Sequence, residues 1–296
     1  MDRTAPGDGA GGGVRGVAPG AVDVDALRRR IDDHGFWYHT IDVVPGVTTP
    51  GWFDLRNAVG DLPWPDVAGR RCLDIGTFDG FYAFELERRG AAEVVAIDVE
   101  DHLLWDWPPD YRGKQLSRDP AFGGPPKGAG FRLLVEATGS IAQWRPLSIY
   151  DLDPAVVGTF DVVILGSLLL HLRDPVRALE AVRSVVASDG WFLSIDQIEA
   201  WLTLRGPHTP LFTLNGSGAD CQWFTANAAG HHRLVFSAGF EVVEKSSPFV
   251  VAFDQHPRPG LNPRELARRA AFRALTGSWT DGVLHRGLLA RRRVDG

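Results

Sequence analysis

The chain has 296 residues, 44% hydrophobic and 23% charged, with a formal net charge of −6. That length and apolar share suit one large domain or two small ones with a substantial core. The acid excess argues against nucleic acid as the main partner, since phosphate contacts need Lys and Arg, and two cysteines, Cys72 and Cys221, leave no disulfide framework.

In chain order, residues 1–22 are Gly, Ala, Pro and Asp with few large side chains, and are expected to be a disordered tail. They lack the apolar core of a signal peptide. Residues 23–66 are expected to form a short amphipathic helix (Val24, Leu27, Ile31) and an aromatic lid segment with Phe36, Trp37, Tyr38, Trp52, Phe53 and Trp64. The main domain is expected over 67–256. Its first strand is 71–75, followed by a helix over 80–89 closed by Gly90, and a strand over 93–98. A long insertion, 101–130, contains Pro108-Pro109 and Gly123-Gly124-Pro125-Pro126, and loops of that length are usually functional or disordered. Then follow a helix (131–138), strands at 143–148 and 159–165, a helix opened by Pro175, and a strand at 190–196. A second insertion, 197–225, precedes a helix at 226–237 and strands 240–245 and 248–254, which are expected to pair antiparallel. The remainder, 257–296, with nine arginines in 258–296, is expected to be a helical extension whose positive charge leaves RNA contact open. The longest apolar run, Val162 to Leu170, is interrupted by Gly166-Ser167 and is too short to span a bilayer. A soluble, cytoplasmic protein without membrane contact is the expectation.

Alternating strands and helices predict an α/β fold with a mostly parallel sheet and right-handed crossovers. The ligand is expected outside the carboxyl ends of the strands, at the switch point beside the first. There the chain reads Asp74-Ile75-Gly76-Thr77-Phe78-Asp79-Gly80, a strand end, a glycine turn and a helix start. A dinucleotide fingerprint is G-x-G-x-x-G and binds pyrophosphate. Here the spacing is D-x-G-x-x-x-G, and a carboxylate in the turn repels phosphate but attracts an ammonium group. Asp98 ends the next strand, at the spacing of an acid that accepts ribose hydroxyls. The two acids together point to S-adenosylmethionine as the bound nucleoside, with Asp74, Gly76, Thr77, Gly80, Asp98, Tyr150, Asp151, Gly166 and Ser167 as candidate cofactor contacts. A nicotinamide oxidoreductase is disfavoured by the same spacing.

Methyl transfer is an in-line displacement that mainly needs alignment, with a base only for an acceptor that keeps its proton. His171, after the fourth strand, is the first candidate base, then His39 and His208. Trp37, Tyr38, Trp52, Trp201 and Trp223 are candidate substrate contacts, able to stack on a flat acceptor. Asp151 equally reads as a cap before Pro154. His231 and His232 are helix neighbours pointing in different directions, and with no zinc or magnesium spacing elsewhere no metal is expected.

These residues, with Phe36-Trp37-Tyr38-His39-Thr40-Ile41, Thr49-Pro50-Gly51-Trp52-Phe53-Asp54, Phe160-Asp161-Val162-Val163, Leu168 to Pro175 and Cys221-Gln222-Trp223-Phe224, resemble the class I S-adenosylmethionine-dependent methyltransferases. Within that class the chain is similar to the family around the bacterial tRNA wobble-uridine carboxymethyltransferase, over roughly residues 30–255. The resemblance implies a Rossmann-like seven-stranded sheet with helices on both faces and an antiparallel last strand. It also implies, in the founding enzymes, a carboxylated donor anchored by a Lys, an Arg and a Tyr before the motif His. Here that position is Leu170, and Lys114, Lys127 and Lys245 all lie outside the aromatic segment. Leucine cannot donate to a buried carboxylate, so ordinary S-adenosylmethionine is expected, with an oxygen or nitrogen of a small molecule as acceptor. Arginine-heavy, lysine-poor usage suggests a GC-rich genome, and family analogy then points to natural-product biosynthesis. A tRNA wobble-uridine substrate is the alternative, and a module that binds the donor without turnover is a further one.

Overall fold

The computed structural model describes residues 23–109, 125–215, 221–254, 263–276 and 282–293. The expected tail 1–22 and residues 110–124 of the first insertion lie outside the described residues. Fourteen strands are described: β1 (Trp37–His39), β2 (Asp42–Val44), β3 (Val47–Thr48), β4 (Gly51–Asp54), β5 (Arg71–Ile75), β6 (Glu93–Asp98), β7 (Gln143–Pro146), β8 (Phe160–Gly166), β9 (Val186–Gln197), β10 (Phe212–Leu214), β11 (Phe224–Ala226), β12 (Phe240–Lys245), β13 (Phe249–Phe253) and β14 (Gly282–Arg292).

Ten of them form one sheet in the order β1-β4-β13-β14-β9-β8-β5-β6-β7, with β12 also on β14. The five strands β7, β6, β5, β8 and β9 are parallel, and β14 enters antiparallel beside β9. With β12 these make the expected Rossmann-like sheet of seven, while β13, β4 and β1 widen it. The central strands are buried on both faces, as parallel strands are. Along them Cys72, Val94, Val162 and Ile164 join a core with the helices Phe81–Arg88 and Ala129–Thr138. Their neighbours Leu73, Val95, Val163 and Leu165 join a second core with Leu179 and Val182 of the helix Pro175–Val185. That is the period-2 alternation of a strand, and each such Leu, Ile or Val contributes about 1.5–3 kcal/mol of burial.

Three sequence expectations need correction. The strands β12 and β13 do not pair with each other. They follow one another along the same edge of β14, Phe240 opposite Arg292 and Phe249 opposite His285. The region 257–296 is not wholly a helical extension: after the helix Pro263–Thr276, β14 runs through the sheet. Its run Leu288-Leu289-Ala290 is buried, so a segment whose Leu, Ala and Arg suit a helix is held extended by partners on both sides. The aromatic segment 23–66 is also part of the sheet, since β4 pairs with β13 and β1 with β4. Trp37, expected as a substrate contact, is buried within it, donates from Nε1 to the Ile31 carbonyl at 2.9 Å and does not line the cavity at the carboxyl ends of the parallel strands.

Candidate active site

A cavity of about 470 Å3 opens at the carboxyl ends of the parallel strands. Of the expected cofactor contacts, Gly76, Asp98, Tyr150, Gly166 and Ser167 line it, as do Tyr38, Trp52, His39 and His171. The chain gets there through two glycines. Gly76 turns at φ +73°, a region that disfavours any Cβ. At Gly166 a Cβ would meet the Tyr82 ring at 2.3 Å, so the cavity floor needs a bare backbone there.

Asp98 is the polar anchor. Its Oδ2 accepts from the Phe78 amide at 3.0 Å, and its Oδ1 from the Val99 amide at 2.8 Å and Lys127 Nζ at 2.7 Å. A carboxylate has about four acceptor positions, so one remains for a hydroxyl in the cavity. Burial lowers the Lys127 pKa, opposed by Asp98 and then Asp79. The ammonium also sits over the rings of Phe78 and Trp105, 4.6 and 4.2 Å from their centroids.

Asp74 behaves differently from its expectation. It is 1% exposed and absent from the cavity wall. Its Oδ2 accepts from Thr77 Oγ1 at 2.6 Å, and burial raises its pKa to about 7. Asp74 and Thr77 thus hold the turn from beneath, and Gly80, also off the wall, starts the helix at φ +98°. Asp151 is exposed and off the wall, so neither acid expected beside Asp98 lines the cavity. Tyr150 stays on the wall because its hydroxyl donates to Asp106 Oδ2 at 2.6 Å, pinning the segment 102–107 over the cavity.

Among the histidines, His208 is exposed and outside the cavity. His171 has Nδ1 2.8 Å from the Cys221 carbonyl; a carbonyl only accepts, so Nδ1 carries the hydrogen and Nε2 the lone pair. Burial lowers its pKa. Asp196 holds the turn Leu169–His171, accepting from the Leu169 amide at 2.9 Å. His39 is pushed down to about 3 by burial, and its buried Nδ1 has no hydrogen-bond partner among the described residues, a polar atom that a ligand here would satisfy. Trp201 is 57% exposed on the helix Ala200–Arg205, and Trp223 donates from Nε1 to the Asp106 carbonyl; neither lines the cavity. The surroundings of Trp37, Trp201 and Trp223 were set by tertiary packing that aromatic content alone does not reveal.

Residues absent from the expectation also line the wall: Phe78, Asp106, Lys127, Gln197, Cys221, Phe253 and His285. Lys127 carried a signal, being one of three lysines in the chain. His285 carried none, because its strand read as helix. Among the described residues no group of three or more His, Cys, Asp or Glu could hold a metal, and no helix is long and apolar enough to cross a membrane.

A family model described as a methyltransferase domain matches residues 51–245. The ubiquinone biosynthesis O-methyltransferase of Neisseria meningitidis serogroup C (strain 053442) is 28% identical over 127 residues, 42% of this chain and 43% of that protein. The 16S/23S rRNA (cytidine-2'-O)-methyltransferase TlyA of Mycobacterium tuberculosis (strain CDC 1551 / Oshkosh) is 43% identical over 93 residues, 31% of this chain and 33% of that protein. The chain therefore spans less than half the length of these curated relatives. The solved N-terminal domain of EvdMO1 with SAH bound aligns with 92% of this chain and 98% of that one, at TM-score 0.50 and 14% identity, a likeness of fold.

Proposed function

The chain belongs to the methyltransferase domain family whose model spans residues 51–245, and from that premise we propose that it transfers the methyl group of S-adenosylmethionine to an oxygen or nitrogen of a small molecule. The observation that carries this reading is Asp98: a buried carboxylate at the cavity end of β6, held by two backbone amides and Lys127, with one acceptor position left for a ribose hydroxyl. Gly76 gives the nucleoside a close backbone approach, and the unpartnered His39 Nδ1 can accept from an ammonium. When bound, the donor supplies a methyl group on a positively charged sulfur, already activated for transfer. The remaining work of the chain is to bind, align and exclude water.

No cluster of spare cations on the described cavity wall favours a carboxylated donor, since Lys127 is engaged by Asp98. Three of the nine tail arginines are engaged within the sheet, which weighs against the RNA alternative. Arg291 lies 3.7 Å over the Trp191 ring, and Arg286 and Arg292 donate to the Ser246 and Val186 carbonyls. A place in natural-product biosynthesis remains part of the proposal.

The test is a calorimetric and thermal-shift panel of S-adenosylmethionine, S-adenosylhomocysteine, the carboxylated donor and NAD. A ligand that binds only the native state raises its stability by mass action. The expected order places the first two well above the others. Preferential stabilisation by NAD, or none by either adenosyl ligand, contradicts the reading.

A further inference from the structure

The crevice has a second end. The strand order β6-β5-β8-β9-β14 separates Asp98 from His285 by four strand spacings, roughly 19 Å at about 4.8 Å each. At that far end Ser167 follows β8, Gln197 ends β9, and His285 lies opposite Gln197 near the start of β14. Ser167 Oγ and His285 Nε2 are 2.7 Å apart, and His285 Nδ1 is 2.9 Å from the Val283 carbonyl. The carbonyl only accepts, so Nδ1 carries the hydrogen, Nε2 holds a lone pair, and the serine hydroxyl donates to it.

The backbone marks the same place. Among the described residues only Phe78 (φ +47°) and Ser167 (φ +52°) are non-glycines at positive φ. Such conformations cost about 1–3 kcal/mol and persist only where the surroundings impose them. Both residues line the cavity, one beside Asp98 and one beside His285. The wall near His285 is apolar and aromatic, with Trp52 and Phe53 on β4 and Val251 and Phe253 on β13. The charged pair Asp98 and Lys127 belongs to the opposite end, and Asp106 is engaged by the Tyr150 hydroxyl and the Arg173 amide.

Resting on the methyltransferase reading above, we infer that Ser167 and His285 together accept the proton of a neutral aromatic hydroxyl, the methyl acceptor. The ring lies among Trp52, Phe53, Val251 and Phe253, and its O–H donates to Ser167 Oγ. Ser167 takes up that proton as its own passes to His285 Nε2, so the serine ends unchanged and the histidine ends as an imidazolium. The acceptor oxygen's electron pair forms the bond to the methyl carbon, whose bond to sulfur breaks with its pair left on sulfur. Burial holds His285 at about 4, so the lone pair is free near neutral pH. A base this weak suffices because the positive charge moves from sulfur to imidazole, with no new charge pair created in the cavity.

The test uses the full chain with S-adenosylmethionine and two sets of phenols, one neutral and one already ionised at the assay pH. His285→Gln and Ser167→Ala are expected to lower kcat on neutral phenols about 100-fold or more, the range of general base catalysis, but less than about tenfold on ionised ones. Affinity of His285→Gln for S-adenosylhomocysteine by calorimetry should stay within about threefold. Nitrogen-15 NMR of the wild-type histidines should find Nε2 of His285 unprotonated, a readout independent of whether either variant folds. Equal losses on both phenol sets, no loss on neutral ones, a larger selective loss in His171→Gln, a protonated Nε2, or a wild type that methylates amines but no phenol would each overturn the inference. A wild type that binds no S-adenosylhomocysteine would sink the underlying methyltransferase reading instead.

Discussion

Lys127 Nζ lies 2.7 Å from Asp98 Oδ1, with both side chains buried in the cavity wall. The lysine thus neutralises the acid expected to hold the donor's ribose while leaving that acid one acceptor position. It follows the prolines 125–126 and precedes Gly128, where the chain turns at φ +78° into the helix Ala129–Thr138.

Asp98→Ala should weaken S-adenosylhomocysteine binding at least about tenfold, the value of a lost charge-assisted hydrogen bond or two. It should also destabilise the fold by about 3–5 kcal/mol, since Lys127 is left buried without its counter-ion. The double variant Asp98→Asn/Lys127→Met removes both charges and should recover most of the stability but not the affinity. Calorimetry and urea unfolding on the same samples separate the two effects; recovery of affinity in the double variant would remove Asp98 from the donor site.

Gly166→Ala should disable the cavity while the fold survives. The added methyl meets Tyr82, a buried cavity residue, at 2.3 Å and 2.9 Å from two ring carbons. Overpacking of this kind costs about 1–3 kcal/mol. The expected result is a lowered unfolding midpoint with donor affinity reduced well beyond it, and a variant that binds as tightly as wild type would mean that Tyr82 moves freely.

The pH dependence of stability divides between two sets of buried groups. Burial raises the carboxyls of Asp74, Asp79 and Asp196 to about 7. Between about pH 4 and 7 the folded chain therefore holds protons that the unfolded chain has released, and stability from these groups falls as pH rises. Burial holds His39 and His231 at about 3 and His285 at about 4. Below about pH 6.5 the unfolded chain takes up protons that the folded one refuses, so stability from these groups falls as pH drops. The two slopes oppose one another between about pH 4 and 6.5. Asp196→Asn removes one member of the first set, and its stability relative to wild type should rise by about 1.4 kcal/mol per pH unit across that window. Denaturant titrations at pH 5 and 6 would check it; a pH-independent difference would mean that Asp196 is ionised throughout.

Trp37 and Trp201 should respond oppositely to truncation. Trp37→Ala empties a fully buried site and should cost about 3–5 kcal/mol. Trp201→Ser, at an exposed position, should change stability by less than about 0.5 kcal/mol and leave donor affinity untouched. A large loss of turnover in Trp201→Ser at unchanged stability would restore Trp201 as an acceptor contact.

Bulk tRNA should show no binding that weakens steeply with added salt, because the chain has a formal net charge of −6 and Arg286, Arg291 and Arg292 of its last strand are engaged within the sheet. A strong salt dependence in a filter-binding titration would revive the RNA-directed alternative.

The parallel sheet, the glycine turn after β5 and the position of Asp98 were legible in the chain, because strand periodicity, glycine and an acid at a strand end are local signals. It placed Tyr38, His39, Trp52 and His171 near one crevice because each lies in a segment that must pass the carboxyl edge. Which polar groups face the cavity depends on packing between segments distant in the chain. Asp74 turned beneath the loop because Thr77 is its nearest donor. Lys127 reached Asp98 across 29 positions of chain. His285 met Ser167 across 118, because β14 is inserted against β9, and such long-range pairing leaves no mark in the local pattern of a segment rich in Leu, Ala and Arg.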